Sequence, residues 1–206
     1  MSRDKYKRLP PALSIRDKML VMCSGETEEI YFNYYKYKYK KNLQNISVKV
    51  VTHKKSNPMA VTQAALSQKA DYDEVWVVFD KDDFSDFDDA IILALDNGIN
   101  CAFSNEAIEY WFFLHFENKT GAMPRGILNS ELERKLGFEY DKGAETIKKV
   151  CGKINGRLEK AEERARIGHE RHMVNSGSQP SYWCSCTTVY TLTKRLREWS
   201  KAKNNE

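Results

Sequence analysis

Val75-Trp76-Val77-Val78-Phe79 is a continuous apolar run that stops abruptly at Asp80-Lys81-Asp82-Asp83. A strand buried on both faces reads this way, and such strands belong to parallel sheets covered by helices. Upstream, Met19-Leu20-Val21-Met22-Cys23 has strand length and ends at the turn signal Ser24-Gly25. Thr27 then caps a predicted helix in which Ile30, Tyr31, Tyr34 and Tyr35 recur at helical spacing toward Leu43. Ile46 to Val51 alternates as a strand, and Asn57-Pro58 opens a helix through Ala70 with Val61, Ala64, Ala65 and Leu66 on its face. Downstream, a helix over Phe87 to Asp96 stops at Asn97-Gly98, Ile99 to Phe103 forms a short strand, and Ser104-Asn105 caps a helix through His115.

Strand and helix thus alternate four times, which predicts an α/β fold: a Rossmann-like, mostly parallel four-stranded sheet flanked by helices, with right-handed crossovers. Beyond Lys119 no strand is expected. Residues 129–137, 143–171 and 187–203 read as helices separated by stretches such as Asn175 to Pro180. The organisation is an N-terminal arm (1–17) with Pro10 and Pro11, an α/β domain (18–117), and a helical C-terminal extension (118–206) packed on it.

The 206 residues suffice for one buried core, and 41% apolar with 30% charged residues lies in the ordinary range for folded domains. No apolar run approaches the length of a bilayer span, and the N-terminus is charged where a leader peptide would be apolar, so a cytoplasmic protein without a membrane is expected. Five scattered cysteines argue for reduced thiols rather than a disulfide framework. The net charge of +4 conceals an asymmetry: residues 1–55 carry 13 basic and 5 acidic side chains, 56–117 carry 2 and 13, and 118–206 carry 18 and 11. An acidic centre between basic arms suits a carboxylate site for a divalent cation within surroundings that hold a polyanion. Solvated acidic loops and basic helices would give the same count.

In parallel α/β sheets, functional groups gather at the carboxyl ends of the strands. Two acidic clusters fall there: Ser24-Gly25-Glu26-Thr27-Glu28-Glu29 after the first strand and Asp80-Lys81-Asp82-Asp83 after the third. Concentrated carboxylates repel unless protons or a cation offset them, and oxygen-only ligands favour Mg²⁺ or Mn²⁺. Such a metal suits phosphodiester hydrolysis, with Glu26 or Glu28 assisting proton transfer.

Three segments resemble the RloB-like family. Cys23-Ser24-Gly25-Glu26-Thr27-Glu28-Glu29-Ile30-Tyr31-Phe32 is similar to its C-E-G-x-T-E-x-x-Y-F motif, and Phe79-Asp80-Lys81-Asp82-Asp83 to its F-D-x-D-D segment. Ser104-Asn105, Glu109, Trp111 and Leu114-His115-Phe116 are similar to its S-N-x-x-x-E-x-W-x-x-L-H-F block. The resemblance implies a Toprim domain, the metal-binding fold of topoisomerases, primases and OLD-type nucleases, in a family associated with restriction loci and antiphage defence. It further implies that Asp80 and Asp82 bind Mg²⁺, that Glu28 joins them, and that Asp83 and Glu109 are supporting acids. The family's E-G glutamate falls on Ser24 here, and serine is no carboxylate base at neutral pH. Either Glu26 or Glu28 substitutes, a metal position is lost, or the module binds nucleic acid, a nucleotide or a protein partner without cutting.

Tyr34-Tyr35-Lys36-Tyr37-Lys38-Tyr39-Lys40-Lys41 interleaves rings with cations, as nucleic-acid surfaces do, though a helix would bury some of these rings and drape lysine stems over the rest. Lys36, Lys38, Lys40 and Lys41, with Lys81 and the helical Arg164, Arg166 and Arg171, are candidate phosphate contacts for DNA or RNA. A second copy or a defence-system protein is a further expected partner. His169, His172, Cys184 and Cys186 offer donors for a structural zinc, at a spacing unlike the usual knuckle. His115 and Trp111 read as core.

Overall fold

The computed structural model describes residues 17–40, 46–119, 121–175, 177 and 179–201. Five strands form one sheet: β1 (Asp17–Cys23), β2 (Ile46–Thr52), β3 (Glu74–Asp80), β4 (Asn100–Asn105) and β5 (Cys186–Thr187). Their order is β2-β1-β3-β4-β5, parallel except for the antiparallel β4–β5 pair. The pleat sends alternate residues to opposite faces. Met19, Val21 and Cys23 of β1 join Trp76 and Val78 of β3 in one apolar cluster, while Leu20 and Met22 join Val75, Val77 and Phe79 in another. Burial on both faces is why β1 and β3 show runs rather than alternation.

The second cluster is covered by α2 (Pro58–Gln68) and α3 (Phe87–Asp96). The first is covered by α1 (Glu26–Tyr39), α4 (Glu109–Leu114), α5 (Arg125–Leu136), α6 (Ala144–Ile154), α7 (Leu158–Asn175) and α8 (Val189–Lys201). All six residues of α4 are buried, packed between the sheet and the C-terminal helices, and Trp111 Nε1–H donates to Tyr31 Oη at 2.6 Å. One continuous core therefore runs across residue 117.

Several elements differ from the sequence expectation. The sheet has a fifth strand, too short to show a period: Cys186 and Thr187 pair with Asn105 and Ser104, while Thr188 N–H donates to Phe103 O and Phe103 N–H to Thr188 Oγ1, each at 2.8 Å. Ser104 and Asn105 are consumed in β4 and so do not cap α4, which starts at Glu109. Gly25, not Thr27, precedes the first turn of α1. The helix expected over 143–171 is two, broken at Asn155-Gly156, where Gly156 takes the left-handed φ of +86° open to glycine without strain. The N-terminal arm up to residue 16, and Lys41 at the end of the tyrosine–lysine stretch, lie outside the described residues. No helix among the described residues is long and apolar enough to cross a membrane.

β1 lies between β2 and β3, so the chain leaves it for one side of the sheet and returns on the other. The crevice beyond the carboxyl ends of β1 and β3 is thus the point where strand order reverses, the usual ligand position in open α/β sheets.

Candidate functional site

The two strand ends are tied together directly: Ser24 N–H, just past β1, donates to Val78 O of β3 at 2.9 Å. Gly25 then turns the chain into α1, and the Glu28 side chain folds back over it; a Cβ at position 25 would sit 2.8 Å from Glu28 Oε2. Glycine is needed there for close approach. Asp80 is the last residue of β3, and its Oδ2 accepts from Ile108 N–H at 3.0 Å. Glu109, the first residue of α4, is fully buried; its Oε1 accepts from Tyr140 Oη–H and from Lys142 Nζ, both at 2.7 Å. Its Oε2 is buried with no hydrogen-bond partner among the described residues. Tyr140 and Lys142 come from the loop between α5 and α6, so the C-terminal helices close over this end of the sheet.

Burial pushes the Glu28 carboxyl up to about 7, and the Glu109 charge adds to the rise, while the Glu28 backbone N–H and Lys142 oppose it. Burial likewise lifts Asp80 well above the carboxylate range; Glu28 and Glu109 reinforce the shift, and Ile108 N–H and Lys142 resist it. Glu28, Asp80 and Glu109 therefore lie within electrostatic reach of one another, with the Lys142 ammonium offsetting all three. The Cys23 thiol, raised by burial and by Glu28 and Glu29, is held as the neutral acid and is no thiolate nucleophile.

Of the acids expected at the site, the structure gathers Glu28, Asp80 and Glu109 and leaves Glu26, Asp82 and Asp83 outside. Glu26 is exposed on the first turn of α1. Asp82, at φ +42°, forms an ion pair with Arg125, and Asp83 is exposed. Glu29 accepts from Thr52 Oγ1–H at 2.5 Å. Among the described residues no group of three or more His, Cys, Asp or Glu side chains is disposed to hold a metal ion. The five-acid clasp expected from the sequence is not assembled, because Lys142 and Tyr140 occupy Glu109 and Arg125 occupies Asp82. The donor chemistry still fits a hard cation. Mg²⁺ takes one or two carboxylates and keeps its waters, so a pair of oxygens from among Glu28, Asp80 and Glu109 Oε2, and not all three, would suffice to hold it. Nor do His169, His172, Cys184 and Cys186 form a zinc set: the ring of His172 stacks on Trp183, and His169 Nδ1 lies 3.1 Å from Tyr190 Oη.

The basic candidates scatter. Lys36 lies beside the Tyr37 ring, Lys38 donates to Asn155 Oδ1 at 2.6 Å, and Lys40 is exposed after α1. Lys81 Nζ donates to Asp82 O at 3.3 Å. Arg164 donates to Leu114 O at 2.6 Å, Arg166 is bound to Glu163 and Glu170, and Arg171 is exposed. Sequence reading missed Arg125, Tyr140 and Lys142. None has a periodic or motif signal: Tyr140 and Lys142 act from the connection between α5 and α6, and Arg125 from the first position of α5, off its buried Leu128-Leu132-Leu136 stripe.

No curated protein matches the sequence. Among solved structures, one similar chain is the periplasmic solute-binding protein of an ABC transporter from Actinobacillus succinogenes with bound D-allose. It is 11% identical, with a TM-score of 0.34, over 78% of this chain and 66% of that one, just under two thirds of its length. The model of the RloB-like protein family matches residues 19–196, most of the sequence, and the chain belongs to that family.

Proposed function

We propose that the protein is a Mg²⁺- or Mn²⁺-dependent nuclease of the Toprim type that hydrolyses a phosphodiester of DNA or RNA, acting in the cytoplasm in antiphage defence. The observation that carries the reading is the placement of Glu28 after β1, Asp80 at the end of β3 and Glu109 at the start of α4, with Glu28 and Glu109 buried and Asp80 partly so, where Glu109 raises Glu28 and both raise Asp80. Carboxylates are not concentrated in this way for stability, because each disfavours ionisation of the others. A bound divalent ion would polarise a phosphoryl oxygen and supply positive charge at the site. Glu28, held near neutrality, is the group suited to take a proton from water and return it to the leaving oxygen. Asp80 is fixed by Ile108 N–H, and Glu109 by Tyr140 and Lys142, so their oxygens keep their positions without help from substrate. The defence role rests on the family resemblance.

Purified protein should cut single- or double-stranded nucleic acid with Mg²⁺ or Mn²⁺ and not with EDTA. Asp80→Asn should lower the rate by at least 100-fold while nucleic-acid binding persists. Equal cutting by that variant sinks the assignment.

A second reading is favoured by one observation. Ser24 stands where the family motif has glutamate; it is buried and its backbone N–H is committed to Val78 O. On that reading the module binds nucleic acid, a nucleotide or a protein partner without cleaving. Binding without product under either metal would support it, and cleavage gained by Ser24→Glu would locate the defect.

A further inference from the structure

Beside α4 lies a small hollow of about 70 Å³ lined by Tyr110, Lys119, Gly168, Arg171, His172 and Ser185, together with Asn118 and Gly121, and no carboxylate among the described residues lines it. A water-sized sphere occupies on the order of 10–15 Å³ on this measure. The hollow therefore has room for one tetrahedral oxyanion but not for a nucleoside. Its walls come from three places: the segment after α4, the face of α7, and the approach to β5. The polar groups that shape it are already committed. Tyr110 Oη–H donates to Lys119 O at 3.0 Å, Ser185 Oγ accepts from Met123 N–H at 2.8 Å, and the His172 ring is stacked on Trp183.

What sets the two cations at the hollow apart is that both line one concavity. Arg125, Arg134, Lys135, Lys148, Arg166, Arg195 and Arg197 of the C-terminal half all reach a carboxylate. Among the described residues, the side chains of Lys119 and Arg171 form no ion pair or hydrogen bond. Two like charges brought to one concavity, with no acid in its wall, create a potential that an anion relieves. Gly168 adds space: a Cβ built there meets nothing within 4 Å.

We propose that this hollow is a phosphate subsite in which Lys119 and Arg171 receive a backbone phosphate of a nucleic-acid strand. Tyr110, in its wall, follows Glu109 on α4, so the hollow and the carboxylate crevice share one helix. Arg supplies a planar fork for two phosphate oxygens and Lys a point charge. The identification of the ligand as a strand rests on the nuclease reading; the anion subsite itself does not.

The test uses the full chain with three probes: inorganic phosphate, a short oligonucleotide, and a ribose 5-phosphate-sized sugar phosphate. Inorganic phosphate should shift the His172 ring resonances and compete with the oligonucleotide. Arg171→Ala and Lys119→Ala should each weaken oligonucleotide binding about tenfold and reduce the slope of log K against log salt by about one. Gly168→Ala, which places a methyl in open space, should weaken phosphate binding without lowering the Tm; Arg134→Ala, whose residue pairs with Glu131 on an exposed face, should change neither. Phosphate and oligonucleotide binding that are both untouched by all three cavity variants overturn the subsite. Loss of phosphate and sugar-phosphate binding with unaltered oligonucleotide binding overturns the strand as ligand. Should wild type bind through the hollow yet never cut with Mg²⁺ or Mn²⁺, the nuclease reading fails and the subsite stands.

Discussion

Burial and the Glu109 charge hold the proton on Glu28 to a pH of about 7, and this has a measurable sign. A carboxyl whose folded-state value lies above its unfolded value favours the folded state while protonated. The contribution is complete below about 4.5 and is lost as pH rises through about 7. The groups facing Glu28 are Glu109, Asp80 and Lys142, with Tyr140 on Glu109, and Asp80 acts in the same direction. In EDTA, Glu28→Gln should therefore match wild type at pH 5 and be more resistant to urea at pH 8, by up to roughly 3 kcal/mol for a shift of this size. Urea midpoints that stay parallel across that range contradict the burial of a proton at Glu28. His115 behaves oppositely. Burial lowers its ring to about 4, so its contribution is complete above about 6.5 and is lost as pH falls through about 4. Its Nδ1 lies 3.0 Å from Trp111 O, and Trp111 packs edge-on against the ring. The charged groups near it are Arg164 and Arg157, both of which oppose protonation. His115→Gln should flatten the acid limb of the stability profile and leave the alkaline limb, read by thermal unfolding at pH 4 to 8. An acid limb as steep as that of wild type would show that another group dominates it.

At the scale of elements, the loop joining α5 to α6 decides how the acidic crevice is charged. Gly137, at φ +78°, closes α5 by donating to Glu133 O at 2.8 Å, and the loop then brings Tyr140 and Lys142 onto Glu109. Lys142→Met leaves a fully buried carboxylate without its cation. Breaking a buried pair costs about 3–5 kcal/mol, but Lys142 is 45% exposed and solvent screens it, so roughly 2 kcal/mol is expected in EDTA. Saturating Mn²⁺ should restore much of that loss, and calorimetric Mn²⁺ affinity should rise several-fold, because the ion no longer competes with the ammonium. Weaker Mn²⁺ binding by the variant would mean that Lys142 supports the metal rather than opposing it. This element also marks where sequence reading stops. β1 and β3 were legible because burial on both faces leaves an unbroken apolar run, and Glu28 and Asp80 because they sit where such runs end. Tyr140 and Lys142 were not, since a loop side chain that reaches across the fold leaves no local periodicity, and neither was Arg125, which reaches Asp82 from the start of α5. The two-residue β5 escaped for a related reason: its hydrogen bonds are made by Thr187 and Thr188 to β4, more than 80 residues earlier in the chain.

At the scale of the whole molecule, the larger of the two apolar clusters is assembled from both halves of the sequence. The run Trp111-Phe112-Phe113-Leu114 has no exposed side, and it is enclosed by the sheet, by Tyr31 and Tyr35 of α1, and by Leu128, Leu132, Ile147, Val150, Leu192 and Leu196 of the later helices. A change from alternating strands to helices near residue 117 marks a change of secondary structure, while the apolar contacts continue through it. Removing residues 118–206 would take four of the six helices, α5 to α8, from one face of the sheet and leave α1 and α4 without their outer cover. Each large side chain so exposed forfeits about 1.5–3 kcal/mol, and the count of such side chains far exceeds the net stability of an ordinary domain. It would also remove the Tyr140 and Lys142 that steady Glu109, and the Arg125 that holds Asp82. A fragment of residues 1–117 should therefore bind a hydrophobic dye, lack a cooperative thermal transition, and fail to retain Mn²⁺, and co-expression with residues 118–206 should restore the transition. Cooperative unfolding by the fragment alone would show that the β1–β4 sheet with α1 to α4 is self-sufficient. The C-terminal helices would then act on the crevice only through the side chains they deliver to it.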